Sequence, residues 1–205
     1  MKVAVLGARI IGSTLGRKWA RAGHEVMFGV RNVDNPEVQA LVAELGNRAS
    51  AGTVGQAIAF GDVVVCAIPG VAMDETIQAH AQALNGKIVI DPANRPDNSA
   101  RNSLPTFTTY APGAKVYRAF NNLGWQNFEN PQFGDIQADL FYCGPAGDAQ
   151  AVVEQLIVDV GLRPVRVGDL DQIQLVDLMG LIWRALASGR GMGRHLAFKL
   201  LTRQS

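Results

Sequence analysis

Short β-branched runs alternate with longer amphipathic stretches through residues 1–168, and a switch of period between two and 3.6 predicts strands alternating with helices. The runs place strands at 2–6, 25–29, 62–68, 87–90, 115–120 and 139–143, with a weak one at 48–49. Residues 63–68 are apolar at every position, as in a central strand covered by helices on both faces. Asn35, Pro36 and Glu37 read as the N-cap, first helical position and first-turn acid of a helix in the text NPEVQALVAEL. The expected fold class is α/β, a Rossmann-type doubly wound, mainly parallel sheet with a C-terminal helical segment.

The pattern changes at Asp169. Residues 169–205 offer no strand candidate and read as helical, with a break at 188–193. Ile173, Leu175, Val176, Leu178, Met179, Leu181, Ile182, Trp183 and Leu186 make the first helix of this tail apolar nearly all round. Burial against the sheet domain or a second protomer is therefore expected, and with it a homodimer. The chain divides into a nucleotide-type domain, 1–168, and a helical segment, 169–205. Residues 92–113, rich in Pro, Asn, Ser and Thr, read as a long loop.

Composition narrows the class of partner. The chain has 205 residues, 48% hydrophobic and 18% charged, enough to bury a sizeable core. Nineteen basic against eighteen acidic residues leave a formal charge of +1, which points to a small-molecule partner, with no nucleic acid and no membrane surface expected. No leader or membrane-length apolar run is found, so a soluble, cytoplasmic protein is expected. Cys66 and Cys143 lie in apolar runs without neighbouring ligands and read as buried thiols; no metal site is expected.

The candidate chemistry begins at Gly7-Ala-Arg-Ile-Ile-Gly12, which follows a predicted strand and opens a predicted helix. Gly7 suits the tight turn, Gly12 suits close helix–strand packing, and Gly16 and Ala20 continue the small face. The helix N-terminus would present amide N–H groups to a pyrophosphate, which makes Gly7, Arg9, Ile10, Ile11 and Gly12 candidate cofactor-binding residues. Arg9 stands where a middle glycine keeps the backbone bare, so it either crowds the phosphates or pairs with them. A β-to-α turn that binds nothing is the alternative. In NAD-binding domains an acid about 20 positions on takes the ribose hydroxyls. Here HEVMFG runs into Val30, Arg31 and Asn32, so Arg31 would take a 2′-phosphate and NADP(H) is favoured over NAD(H). Asp34 sits beside the helix cap and is assigned to that turn.

The texts VAVLGARIIGSTLG, DVVVCAIP, KIVIDPANRP, KVYRAFNNLG and GLRPVRVGDLDQIQLVDLMGLIWRAL with GMG resemble the NADP-dependent 8-hydroxy-5-deazaflavin reductases and their pyrroline-carboxylate-reductase-like relatives. The resemblance implies that Ile68 and Pro69 border the cofactor and that Asn94 and Asn121 lie near the nicotinamide edge. It also implies that Gly191 to Gly193, with Met192 between them, borders a flavin-like ring. The sequence departs from the family at Arg9 and at Arg95, where relatives tend to have proline. Hydride transfer between a nicotinamide and a deazaflavin or flavin needs two stacked rings and little acid–base help. An imine or ketone reductase would need a proton donor, for which Tyr110, Tyr117 and His195 are the candidates; a non-catalytic NADP-binding sensor is the remaining alternative. The tail carries Arg184, Arg190, Arg194, Lys199 and Arg203 with no acid, either a site for an anionic cofactor tail or a solvated face.

Overall fold

The structure is a computed structural model that describes residues 1–95 and 101–203. The strands are β1 (Lys2–Leu6), β2 (Glu25–Gly29), β3 (Ala49–Gly52), β4 (Val63–Val65), β5 (Ile88–Asp91), β6 (Lys115–Arg118), β7 (Gln132–Phe133), β8 (Ile136–Gln137), β9 (Asp139–Cys143) and β10 (Arg163–Gly168). Between them run α1 (Ile10–Arg21), α2 (Pro36–Leu45), α3 (Val54–Phe60), α4 (Met73–Ala79), α5 (Ala81–Leu84), α6 (Leu104–Tyr110), α7 (Trp125–Glu129) and α8 (Asp148–Val160); α9 (Ile173–Arg184) follows the last strand.

Eight strands form one sheet in the order β10-β9-β6-β5-β4-β1-β2-β3, and β7 and β8 form a small hairpin. The chain runs outward from β1 to β3, then crosses back to β4 on the other side of β1. All neighbours from β3 to β6 are parallel. β9 meets β6 antiparallel through Arg118 and Cys143, and β10 lies parallel to β9. This is the doubly wound architecture expected, with an edge pair running the other way.

Local chemistry explains most of the boundaries. Asn35 accepts the Glu37 N–H at 2.8 Å and Pro36 opens α2. Thr53 and Gln56 form a reciprocal capping box on α3. Val63, Val64 and Val65 are wholly buried, Val63 and Val65 facing one helical layer and Val64 the other. Cys66 and Cys143 are free and buried.

Three expectations are corrected. β10 was not expected, because Arg163-Pro164-Val165-Arg166 is half-buried throughout and proline on an edge strand weakens the strand pattern. Within the expected loop 92–113, α6 forms over LPTFTTY, with a proline in its first turn and Phe107 as its buried anchor; residues 96–100 lie outside those described. The tail is helical through α9 and a π-turn at Ala185–Gly189, but its end is not helical. Phe198 instead bridges Asp139 of β9, and Leu196, Ala197 and Phe198 pack on the main core. Nor is α9 buried all round by its own chain. Ile173, Val176 and Trp183 are buried, while Leu175, Leu178 and Ile182 are 48%, 51% and 48% exposed.

Candidate active site

The crossover at β1 leaves a crevice between the carboxyl ends of β1 and β4, the place where doubly wound sheets bind ligands. Gly7 turns the chain there with φ +93°, which an L side chain rarely adopts. A Cβ on Gly7 would stand 2.6 Å from the Ala67 carbonyl oxygen just past β4, so only glycine lets the two strand ends approach. A Cβ on Gly12 would run into the Gly7 carbonyl, and one on Gly16 into the Phe28 ring. The glycines thus lay α1 tightly on β1 and β2.

Arg9 is the N-cap of α1 in extended conformation and makes no side-chain cap hydrogen bond. The first amide N–H groups of this helix of 12 residues therefore take no partner from a cap, and a helix has none to offer them from within. Arg9 and Ile10 are exposed, Ile11 is half-buried, and Arg9 has no hydrogen-bond or ion-pair partner among the described residues. The residues present fit a diphosphate: open N–H groups, a positive helix end and a free guanidinium. Arg31 is exposed beyond β2 and is likewise without an ion-pair partner among the described residues. Asn32 accepts the Asp34 N–H at 3.0 Å, so its carbonyl oxygen holds the turn that leads to Asn35 and α2.

A cavity of about 570 Å³ continues from this crevice over the ends of β4, β5 and β6. Ile11, Ile68, Pro69, Asn94 and Asn121 line it, so these five candidates come together. Its other walls are Phe120, Trp125 and Trp183, with Asp177 and Gly180 from α9. Met192 and His195 do not line it; both are exposed on the irregular segment after the π-turn. Tyr110 is exposed on α6, and Tyr117 donates its hydroxyl to the Pro145 carbonyl at 2.7 Å, with burial pushing its pKa up to about 12. None of the three proton donors weighed from the sequence reaches the cavity.

Beneath it lies a buried polar network that the sequence reading missed. Arg118, at the end of β6, is fully buried. Its Nε donates to Asp177 Oδ1 at 2.8 Å, and its Nη1 to the Asp91 and Ala93 carbonyls at 2.9 and 2.7 Å. Its Nη2 donates to Asn94 Oδ1 at 3.0 Å, and the Asp91 carboxylate stands 3.3 Å away. Burial raises the Asp91 carboxyl above its usual range against the opposing pull of Arg118 and of the Ser103 and Ala93 N–H groups. The second oxygen of Asp177 accepts from Asn102 at 2.8 Å. The signal available in the sequence was an arginine inside the apolar run KVYRAF and an aspartate inside an apolar helix, since such groups are buried only when paired.

At the rim, the departure at Arg95 has a local reason. Its guanidinium clasps Asp74 of α4 at 2.7 and 2.5 Å, and the Thr106 hydroxyl donates to the same carboxylate. Hydrogen bonds from Arg95 and Thr106 hold Asp74 below the usual carboxylate range. The basic tail divides. Arg184 and Arg194 line the cavity, Arg194 lying 5.1 Å over the Trp183 ring. Lys199 is spent on Asp139 at 3.0 Å, and Arg190 and Arg203 are exposed away from the cavity. Among the described residues no helix is long and apolar enough to cross a membrane, and no group of three or more His, Cys, Asp or Glu could hold a metal ion.

Comparison with solved structures shows the same fold. A protein proposed to be an F420-dependent NADP reductase, from Arthrobacter sp. FB24, is 24% identical over 98% of this chain and 100% of its own, with a TM-score of 0.84. A hypothetical protein from Sinorhizobium meliloti is 27% identical over 83% of this chain and 86% of its own, with a TM-score of 0.70. A reductive aminase from Aspergillus terreus, solved with NADPH and ethyl-5-oxohexanoate, is 22% identical over 93% of this chain and 61% of its own, with a TM-score of 0.67. Residues 2–95, which carry β1 to β5, the glycine turn and the first half of the cavity wall, match the family of coenzyme F420-dependent NADP oxidoreductases, and the chain resembles that family as its motifs indicate.

Proposed function

We propose that this protein is an NADPH-dependent oxidoreductase that transfers hydride between NADP(H) and a deazaflavin or flavin-type acceptor. One observation carries the reading: a cavity with three aromatic walls continues from the glycine crevice and is lined by none of Tyr110, Tyr117 and His195. The amides of the first turn of α1, with Arg9, would hold the pyrophosphate, and Arg31 with the amide of Asn32 would hold the 2′-phosphate. NADPH supplies the hydride; the chain supplies position, with Ile11, Ile68, Pro69 and Asn94 against one ring and Trp125 and Trp183 left for the other. Stacking two flat rings against aromatic walls excludes water from between them and needs no acid or base. Asp177, the one carboxylate on the cavity among the described residues, already accepts from Arg118, Asn102 and Asn121 on its two oxygens, which disfavours a proton-donating imine or ketone reductase. The half-exposed Leu175, Leu178 and Ile182 support a homodimer joined through α9, and the two free thiols fit a reducing compartment such as the cytoplasm.

The test is turnover of purified protein with NADPH against flavins, deazaflavins, imines and ketones. Oxidation of NADPH with a ring acceptor and none with imines or ketones is expected. Turnover of imines alone would replace the reading by the reductase alternative, and tight NADPH binding without any turnover would make the protein a sensor.

A further inference from the structure

Residues 188–195 cross the side of the cavity without packing of their own. Every one of them is exposed, while Ala187 before them is buried and Leu196, Ala197 and Phe198 after them pack on the main core. Gly191 and Gly193 take φ +68° and +84°, and a Cβ on either would meet nothing within 4 Å among the described residues. The N–H groups of Arg190, Met192 and Gly193 bond to the Ala185, Leu186 and Ala187 carbonyls, so they reach no further than the π-turn. A stretch with exposed backbone and no buried apolar side chain opens at low free energy. The segment is a strap between two firm ends, and Ser188 and Arg194 on it are part of the cavity wall.

One side chain ties the strap to the body of the protein. Arg194 donates from Nε to Gln126 Oε1 at 3.2 Å and lays its guanidinium 5.1 Å over the Trp183 ring. Asn127 reaches the Arg194 carbonyl only at 3.4 Å and spends its shorter bond, 2.8 Å, on Leu196 beyond the strap. The indole beneath is held independently. Its Nε1 donates to the Leu196 carbonyl at 2.6 Å, and a Cβ on Gly124 would stand 2.7 Å from its benzene edge. When the guanidinium leaves, the ring therefore stays in place and turns an aromatic face to the cavity.

We infer that residues 188–195 form a gate in the cavity wall, that Arg194 is its latch, and that a flat aromatic ligand opens it by taking the place of the guanidinium on Trp183. The inference rests on the ring-acceptor reading above. The latch is weak enough to exchange: it consists of a cation–π contact and one long hydrogen bond to a neutral amide, with no ion-pair partner for Arg194 among the described residues. A stacked ring covers the same indole face with more area than a guanidinium does.

The test reads tryptic cleavage of the native full chain after Arg190, inside the strap, by mass spectrometry. The wild type is expected to be cut slowly and Arg194→Ala about tenfold faster, the worth of the lost cation–π contact and hydrogen bond. An unchanged urea midpoint in the variant shows that the faster cut reports local opening. Riboflavin, flat and uncharged, is the probe ligand. It should speed the cut in the wild type toward the rate of the variant. Titration of its own fluorescence should show Arg194→Ala binding it more tightly by about the same tenfold, because a ligand that needs the open state is weakened by the fraction closed. Equal cleavage rates in wild type and variant overturn the latch. Equal or weaker riboflavin binding by the variant overturns the exchange, since Arg194 would then be idle or a contact of the ligand. Riboflavin bound by neither form would count against the ring-acceptor reading, and the cleavage rates would still decide the latch.

Discussion

At the scale of single residues, the proposed cofactor end of the site would rest on two arginines that have no ion-pair partner among the described residues, and each has a measurable sign. Arg31 is exposed beyond β2 with no ion-pair partner among the described residues. Arg31→Ala should weaken NADPH binding by about 1.5–3 kcal/mol, the range of a charged hydrogen bond, and leave NADH binding nearly unchanged. Isothermal titration with both cofactors checks this; equal losses would remove the 2′-phosphate assignment. Arg9 caps α1 with its backbone alone, so its guanidinium is free to fold over the diphosphate. Arg9→Gly should then weaken NADPH binding, by less as salt is raised, because ions screen an exposed charge pair. Tighter binding of the glycine variant would mean that Arg9 only crowds the turn.

At the scale of elements, two ion-pair centres join strands to the segments that close the site. Replacing Arg118 by Met would leave Asp91 and Asp177 buried without their shared cation, and the expected loss is about 3–5 kcal/mol of unfolding free energy, read from urea denaturation. Asp139 at the start of β9 anchors the tail: it accepts from Arg163 at 2.7 and 2.6 Å, from the Leu200 N–H at 2.6 Å and from Lys199 at 3.0 Å. Burial opposes its charge, but these donors outweigh it and hold the carboxyl below the usual range. A depressed carboxyl stabilises the fold above its unfolded value of about 3.9 and loses that contribution as pH falls through the lower folded value. The tail end should therefore stay protected down to mildly acid pH and open only in strong acid. Amide exchange around Phe198 to Leu200, followed as the pH is stepped down, checks the window. Asp139→Asn should open the same segment at neutral pH.

At the scale of the whole molecule, α9 presents one face to the cavity and another to solvent. Asp177, Gly180 and Trp183 belong to the first, Leu175, Leu178 and Ile182 to the second. If the second face joins two protomers, Leu178→Glu should shift the protein from dimer to monomer in sedimentation velocity without changing NADPH affinity; a monomeric wild type would remove the homodimer. The same helix shows how far the sequence reaches. Strand order along the chain, the glycine turn, the capped start of α2 and the central position of β4 follow from local causes: side-chain period, backbone sterics at glycine and hydrogen bonds spanning a few residues. Those causes act between neighbours, so the chain determines them by itself. Arg118 and Asp177 are 59 positions apart, and Asn121 and Asp177 are 56. No local pattern announces their meeting, because a buried charge is tolerable only when distant segments bring its partners to it. Likewise β10 forms although proline weakens its pattern, since Arg163 finds Asp139, and the final segment leaves the helical state because Phe198 finds an open strand edge. Sequence alone determined the doubly wound scaffold and where its glycine turn lies; tertiary structure decided which polar groups stand at the cavity, because pairing buried charges requires the whole fold to be closed.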